Sequence, residues 1–82
     1  VFDYIELTEG YSIFEIPPVE EWVGKSIRQL AIRPKYHVSI LGIKKDGHLQ
    51  LLPHAERILK REDHLMVVGL KKDIDRILAN IR

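Results

Sequence analysis

Prolines and tight turns limit the length of every regular element that this chain can form. Pro17-Pro18 removes two backbone N–H donors, so a strand cannot continue through it. Pro34 pushes the residue before it out of the helical region, Asp46-Gly47 is typical of a hairpin turn, and Pro53 ends the strand after that turn. The sequence therefore predicts short strands and helices in one small domain.

Apolar runs between these breaks predict four strands. They cover residues 11–16, 37–44, 48–52 and 64–70. The run at 37–44 is apolar on both faces, which predicts the central strand of the sheet. Residues 4–7 are a further short apolar stretch, interpreted as a linker strand, and the polar segment 54–63 predicts a turn.

Two segments have the spacing of amphipathic helices. Ser26 is a typical N-cap residue, and the apolar residues after it predict a helix that Pro34 ends at or before Arg33. Residues 71–82 carry an apolar stripe formed by Ile74, Ile77, Leu78 and Ile81. The order β-α-β-β-β-α predicts an α+β fold, in which helices cover a mostly antiparallel sheet.

The residue types present exclude several kinds of chemistry. The 82 residues contain no Cys, which excludes a disulfide scaffold, a thiolate metal site and a cysteine nucleophile. The four His residues lack the spacing of a zinc site, and no Ser has a His placed to activate it. No apolar run approaches the roughly 20 residues that span a bilayer. We therefore expect a cytoplasmic binding domain with no catalytic residues, metal or cofactor.

Charge is distributed unevenly along the chain. Residues 1–23 hold half of the 12 acidic residues and no Lys or Arg, whereas all 13 Lys and Arg residues lie in residues 24–82. One interpretation is that the two ends attract each other within one domain or between subunits. The other is an anion site on the basic part. Because the basic residues are scattered without interleaved aromatics, we expect no nucleic-acid partner.

Two residues are candidates for binding an anionic ligand. Arg33 is either a surface charge paired with Glu20 or Glu21, or a cation beside free backbone N–H groups in the turn at residues 31–34. His48 follows the hairpin turn and is either a solvated strand start or a hydrogen-bonding group facing a second subunit. The residues alone leave both alternatives open.

A series of short motifs spans nearly the whole chain. It runs through Gly24-Lys25-Ser26-Ile27, Ile32-Arg33-Pro34-Lys35-Tyr36, Val38-Ser39-Ile40-Leu41-Gly42-Ile43-Lys44, Pro53, Asp63-His64-Leu65 and Val67-Val68-Gly69. In this order the motifs resemble the RCK C-terminal (TrkA-C) domain. The resemblance is strongest to the gating subunits of bacterial Ktr-type potassium transporters.

The resemblance implies a homodimeric regulatory domain that lies below a membrane potassium channel or transporter subunit, on its cytoplasmic side. Residues 1–10 would be a linker from a preceding Rossmann domain that this chain lacks, and residues 11–82 the ligand-binding domain. Since the chain starts at Val1, we expect it to be a piece of a longer protein. In several such subunits this domain binds cyclic di-AMP at the dimer interface.

The resemblance also implies a set of ligand-binding residues. They are Ile27, Arg28, Ala31, Ile32, Arg33, Pro34, Ser39 and His48. Adenine rings would lie against Ile27, Ile32 and Pro34. The phosphates would contact Arg33, while Ser39 and His48 would form hydrogen bonds to base or phosphate.

Three other functions remain open at this stage. The chain could be a structural dimerisation module with an empty interface. It could belong to another kind of transporter or antiporter. It could also bind a cation such as Ca²⁺ through its acidic N-terminal segment, with Glu20 and Glu21 as ligands.

Overall fold

One strand lies at the centre of the sheet. The computed structural model describes the backbone of residues 2–79 and the side chains of residues 5–79. The strands are β1 (Phe2–Glu6), β2 (Tyr11–Ile16), β3 (Ser39–Lys45), β4 (His48–Leu51) and β5 (His64–Leu70). They pair antiparallel in the order β1-β2-β5-β3-β4. Strand β5 is therefore central, and β1 and β4 form the edges. The prediction that the run at 37–44 is the central strand is wrong, because β3 lies between β5 and the edge strand β4.

Short helices cover the sheet. A 3₁₀ turn at Glu20–Trp22 precedes the helices α1 (Ile27–Leu30), α2 (Ile32–Tyr36) and α3 (Lys71–Leu78). The predicted α+β class, the mostly antiparallel sheet and the order of the predicted elements are confirmed. The predicted end of the last helix, which includes Ile81, lies outside the described residues.

The segment predicted as one helix is two helices. The helix capped by Ser26 ends at Leu30, within the predicted limit of Arg33, but the break lies at Ala31 and not at Pro34. The Ser26 hydroxyl accepts a hydrogen bond from the Gln29 N–H, as expected of an N-cap. Ala31 then breaks the helix with a left-handed backbone (φ 48°). Helix α2 continues past Pro34, because a proline in the first turn loses no intrahelical hydrogen bond.

Part of the segment predicted as a linker belongs to the sheet. Strand β1 pairs with β2, from Phe2 opposite Glu15 to Glu6 opposite Ser12. The interpretation of residues 4–7 as a linker strand thus placed the strand two residues too late. Strand β1 pairs with β2 on one side only, so it is an edge strand that adds to the sheet beyond β2.

The core lies between the sheet and the helices. Trp22 is 1% exposed and meets the Tyr36 ring edge-on, with the ring centroids 5.0 Å apart. This agrees with a core role for Trp22 and not with a stacking platform for a ligand. The other buried apolar side chains are Phe14, Ile16, Val19, Leu30, Ile32, Val38, Ile43, Leu59, Leu65, Val67, Ile74 and Ile77.

Gly69 allows the central strand to approach the start of β3 closely. A Cβ at this position would lie 2.7 Å from Cγ1 of the buried Val38. We expect Gly69→Ala to lower the free energy of unfolding by about 1–3 kcal/mol through overpacking, measured by urea denaturation. In a Val38→Ala background the same change should cost much less. Equal costs in both backgrounds would contradict this explanation.

Candidate ligand-binding site

The first residues of β3 have no neighbour on one side. Pairing between β3 and β4 runs from Lys45 opposite His48 to Gly42 opposite Leu51 and then stops. Leu52 has a left-handed backbone (φ 53°), and Pro53, which has no N–H to donate, follows it. The N–H of Leu52 still donates to the carbonyl of Leu41 (2.8 Å), and the chain then leaves the sheet, so residues 39–40 keep an open edge.

The loop at residues 53–59 crosses from this edge to helix α1. The N–H of Arg28 donates to the carbonyl of Ala55 (2.8 Å), and the N–H of Ile27 donates to that of Arg57 (3.2 Å). Further along, the N–H of Leu59 donates to the carbonyl of Lys25 (2.9 Å). These bonds fix the loop at a set distance from the open edge of β3.

A buried ion pair holds the same loop at its far end. Asp63 is 1% exposed and accepts hydrogen bonds from Nη1 (3.0 Å) and Nη2 (3.3 Å) of Arg57 and from the N–H of Lys60 (2.8 Å). Since a buried carboxylate is costly unless it is paired, these bonds strongly favour one loop conformation. The loop is thus a rigid wall.

A groove of about 210 Å³ lies between the loop, the two short helices and the start of β3. We call it the β3 groove. Its lining residues are Ile27, Ile32, Arg33, Val38, Ser39, Ile40, Pro53 and Ala55. Six of these eight residues are apolar, and Arg33 and Ser39 add a cation and a hydroxyl, a combination of residue types that small-molecule sites use.

Arg33 supplies the positive charge of the groove. Its side chain is exposed, and it forms no ion pair with any residue between 5 and 79. The alternative in which Arg33 pairs with Glu20 or Glu21 is wrong, because neither carboxylate forms an ion pair with it and Glu20 is paired with Arg61. That hydrogen bond with Arg61 also lowers the pKa of Glu20 below its usual value.

Four of the eight predicted site residues line the groove, and four do not. Ile27, Ile32, Arg33 and Ser39 meet there. Ala31 forms the break between the helices, and Pro34 follows Arg33 without reaching the lining. Arg28 is exposed and ion-paired with Glu56.

His48 lies in a different cavity. This hairpin cavity has a volume of about 310 Å³ and is lined by Ile43, Lys45, Asp46, His48, Leu49, Gln50 and Arg57. Within one chain, His48 therefore does not complete the groove that contains Arg33. The loop at residues 53–59 separates the two cavities, because Pro53 and Ala55 face one and Arg57 faces the other.

Sequence reasoning missed four residues of the groove. Val38 and Ile40 flank Ser39 on β3, and their place in an apolar strand start was the available signal. Pro53 and Ala55 come from the loop, where no local pattern marks them as lining residues. Only the chain reversal after β4 brings them against α1.

Two further findings concern the described residues alone. Between residues 5 and 79, no three His, Asp or Glu side chains lie close enough together to hold a metal ion. None of the described helices is both long enough and apolar enough to cross a membrane.

Comparison with known proteins identifies close relatives. The profile of the TrkA-C domain matches residues 11–82. Ktr system potassium uptake protein A of Bacillus subtilis is 42% identical over 76 residues, and protein C of the same system is 37% identical over 76 residues. The matched region covers 93% of this chain and 34% of either relative. The chain thus spans about a third of the length of these proteins.

Solved structures share the fold. The RCK C domain of potassium transport protein KtrA, determined in complex with cyclic diadenosine monophosphate, superposes with a TM-score of 0.79 and 32% identity over 87% of this chain and 84% of that domain. Streptococcal BusR, from S. agalactiae, determined in complex with promoter DNA, has a TM-score of 0.76, but its 22% identity over 96% of this chain and 41% of BusR shows a common fold only. The chain belongs to the TrkA-C (RCK C) family, whose members are regulatory domains and not enzymes.

Proposed function

We propose that this domain senses cyclic di-AMP for a potassium transport system, binding one ligand per homodimer in the β3 groove. The observation that carries the proposal is an arginine beside apolar residues that has no carboxylate partner among residues 5–79. The related KtrA domain, 32% identical, was solved with this ligand. Regulation of potassium transport is inferred from the Ktr relatives.

The lining of the groove suits each part of this ligand. Ile27, Ile32 and Pro53 offer an apolar surface for an adenine ring. The guanidinium of Arg33 can bind a phosphate through two parallel hydrogen bonds. Ser39 has a hydroxyl that can donate to a phosphate or accept from an adenine amino group.

A two-fold symmetric ligand fits a symmetric pair of chains. Each chain of such a dimer contributes the same residues, so the two phosphates can meet two copies of Arg33. Exposed apolar side chains on β4 and the following loop support association. They are Leu49 (47% exposed), Leu51 (56%), Leu52 (76%) and Ile58 (43%). His48, at the start of the same strand, would then reach the ligand from the partner chain.

Because His48 would reach the ligand from the partner chain, replacing it should weaken binding even though His48 lies outside the groove of its own chain. We expect His48→Ala to weaken cyclic di-AMP binding about five- to tenfold, the loss of one ordinary hydrogen bond. His54→Ala is the matched control, because His54 is also exposed but lines neither cavity. Equal affinities for both variants, measured by calorimetry, would place His48 outside the site.

Thermal unfolding with a panel of ligands tests the proposed function. The panel contains cyclic di-AMP, cyclic di-GMP, ATP, NADH and Ca²⁺. A ligand at 100 times its dissociation constant stabilises the folded state by about 2.7 kcal/mol, which corresponds to roughly 10 °C or more for a domain of this size. We expect this shift with cyclic di-AMP alone. A shift with Ca²⁺ instead would favour cation sensing.

The place of the domain in a larger protein follows from the same relatives. We propose that residues 1–10 connect it to a preceding Rossmann domain and that the assembly regulates a membrane potassium transporter from the cytoplasmic side. The shared region makes up 34% of the Ktr proteins, which leaves room for such a domain. We propose no nucleic-acid partner for this chain.

A structural dimerisation module is the second candidate function. The exposed leucines of β4 favour it, since they call for a partner whether or not a ligand is bound. In that case no nucleotide in the panel would raise the unfolding temperature. Arg33→Ala would then change only the strength of the dimer.

A further inference from the structure

An ion pair links the two segments that form opposite sides of the β3 groove. Arg28 follows Ile27, which lines the helix side, and Glu56 follows Ala55, which lines the loop side. Nε of Arg28 donates to the carboxylate of Glu56. A backbone hydrogen bond from Arg28 to Ala55 (2.8 Å) fixes the two segments against each other. The pair is therefore carried by two segments that are bonded to each other and whose neighbouring residues line the groove.

This ion pair is easily exchanged for another partner. The side chains of Arg28 and Glu56 are 68% and 69% exposed, so water screens their attraction. Exposed pairs of this kind contribute little to stability, and an arginine on a long unbranched stem can change rotamer at little cost. An incoming phosphate offers the guanidinium a second anion, with two oxygens in the geometry that it prefers.

We propose that Glu56 competes with the ligand phosphate for Arg28 and thereby lowers the affinity of the groove for cyclic di-AMP. The proposal rests on the proposed function and adds a residue to it. In the free domain Arg28 is bound to Glu56, and among the groove-lining side chains Arg33 carries a charge that no residue between 5 and 79 pairs. In the bound domain Arg28 turns to the phosphate, and the carboxylate of Glu56 is left in water.

The two members of the pair should therefore have opposite effects on binding. Without Glu56, Arg28 is available to the phosphate from the start, and no negative charge repels the ligand. Without Arg28, the carboxylate of Glu56 remains unpaired beside an anion. Charges a few ångströms apart in partly solvated positions interact strongly enough to change affinity by about three- to tenfold. Salt at 0.5 M should reduce both effects, because the pair is exposed to solvent.

Calorimetric titration with cyclic di-AMP tests this at low and high salt. We expect Glu56→Gln to bind about three- to tenfold more tightly than the unaltered chain, and Arg28→Gln to bind more weakly by a similar factor. The variant that carries both Glu56→Gln and Arg28→Gln distinguishes a direct contact between Arg28 and the phosphate from simple repulsion of the ligand by Glu56. If Arg28 contacts the phosphate, the double variant binds more weakly than Glu56→Gln alone. If it binds as tightly as Glu56→Gln, the proposed exchange is wrong.

The pair formed by Arg61 and Glu20 supplies matched controls. It is an equally exposed arginine–glutamate pair, and neither residue lines the β3 groove. Glu20→Gln and Arg61→Gln should leave the affinity unchanged, although they alter the net charge identically. If the unaltered chain binds but the Glu56 variants match these controls, the inference fails and the proposed function stands. If the unaltered chain does not bind cyclic di-AMP, both fail.

Discussion

Replacing Trp22 with alanine is expected to lower the free energy of unfolding by about 3–5 kcal/mol, the cost of deleting a large buried aromatic side chain. Trp22 is 1% exposed and packs edge-on against Tyr36, which belongs to α2. The indole therefore joins the 3₁₀ turn to the helix that carries Arg33. Because a domain of this size has a total stability of only about 5–15 kcal/mol, the variant should be largely unfolded when warmed.

Guanidinium denaturation at fixed chain concentration measures this cost. Trp22→Phe is the matched variant, since it keeps an aromatic ring in the core and should recover most of the stability. A loss below about 1 kcal/mol for Trp22→Ala would show that Trp22 is not a central core residue. A constant concentration is needed because association of chains would add to the measured stability.

Replacing Arg33 with alanine is expected to weaken cyclic di-AMP binding by about 10- to 100-fold. The variant loses the hydrogen bonds that the Arg33 guanidinium would donate to a phosphate. Hydrogen bonds to charged groups contribute about 1.5–3 kcal/mol, and each 1.4 kcal/mol changes the affinity by a factor of ten. The side chain is exposed and has no ion-pair partner among residues 5–79, so its removal should leave stability nearly unchanged.

Arg61→Ala is the control for the Arg33 variant. It removes the same charge from an exposed arginine that lies outside the β3 groove. Calorimetry should detect a loss of affinity for Arg33→Ala only. Equal losses for both variants would mean that net charge, and not a contact with Arg33, determines binding. Arg33→Lys should recover part of the affinity, because an ammonium keeps the charge but not the paired geometry.

Local sequence patterns predicted the elements whose side chains determine them directly. The hairpin of β3 and β4 follows from Asp46-Gly47, both of which adopt positive φ values (52° and 78°). The N-cap at Ser26 follows from the residue type and the helical spacing behind it. Strand β5 was predicted as a buried strand from its apolar run, but the run itself did not show that it is the central one.

Other features depend on contacts between distant segments and could not be predicted in this way. Ala31 is a strong helix former, yet it ends α1 with a left-handed backbone (φ 48°). Pro34 was expected to stop a helix. Because the helix breaks at Ala31, Pro34 lies instead in the first turn of α2, where a proline is tolerated. Tertiary structure overrode the local preference at both positions.

The residues of the candidate site also divide into those that the sequence predicted and those that only the folded chain brings together. Ile27, Ile32, Arg33 and Ser39 were predicted through the family resemblance and line one groove. Pro53 and Ala55 complete that groove from a loop whose position depends on the ion pair between Arg57 and Asp63, six residues apart in the loop. The separation of His48 from the groove likewise becomes visible only when β4 is folded back on β3.

Calorimetric titration of the chain with cyclic di-AMP tests the central claim most directly, because it reports affinity and stoichiometry together. A ligand bound on the two-fold axis between two grooves should saturate at one molecule per two chains. Saturation at one molecule per chain would contradict a shared site, and the absence of any heat of binding would contradict the sensing function itself.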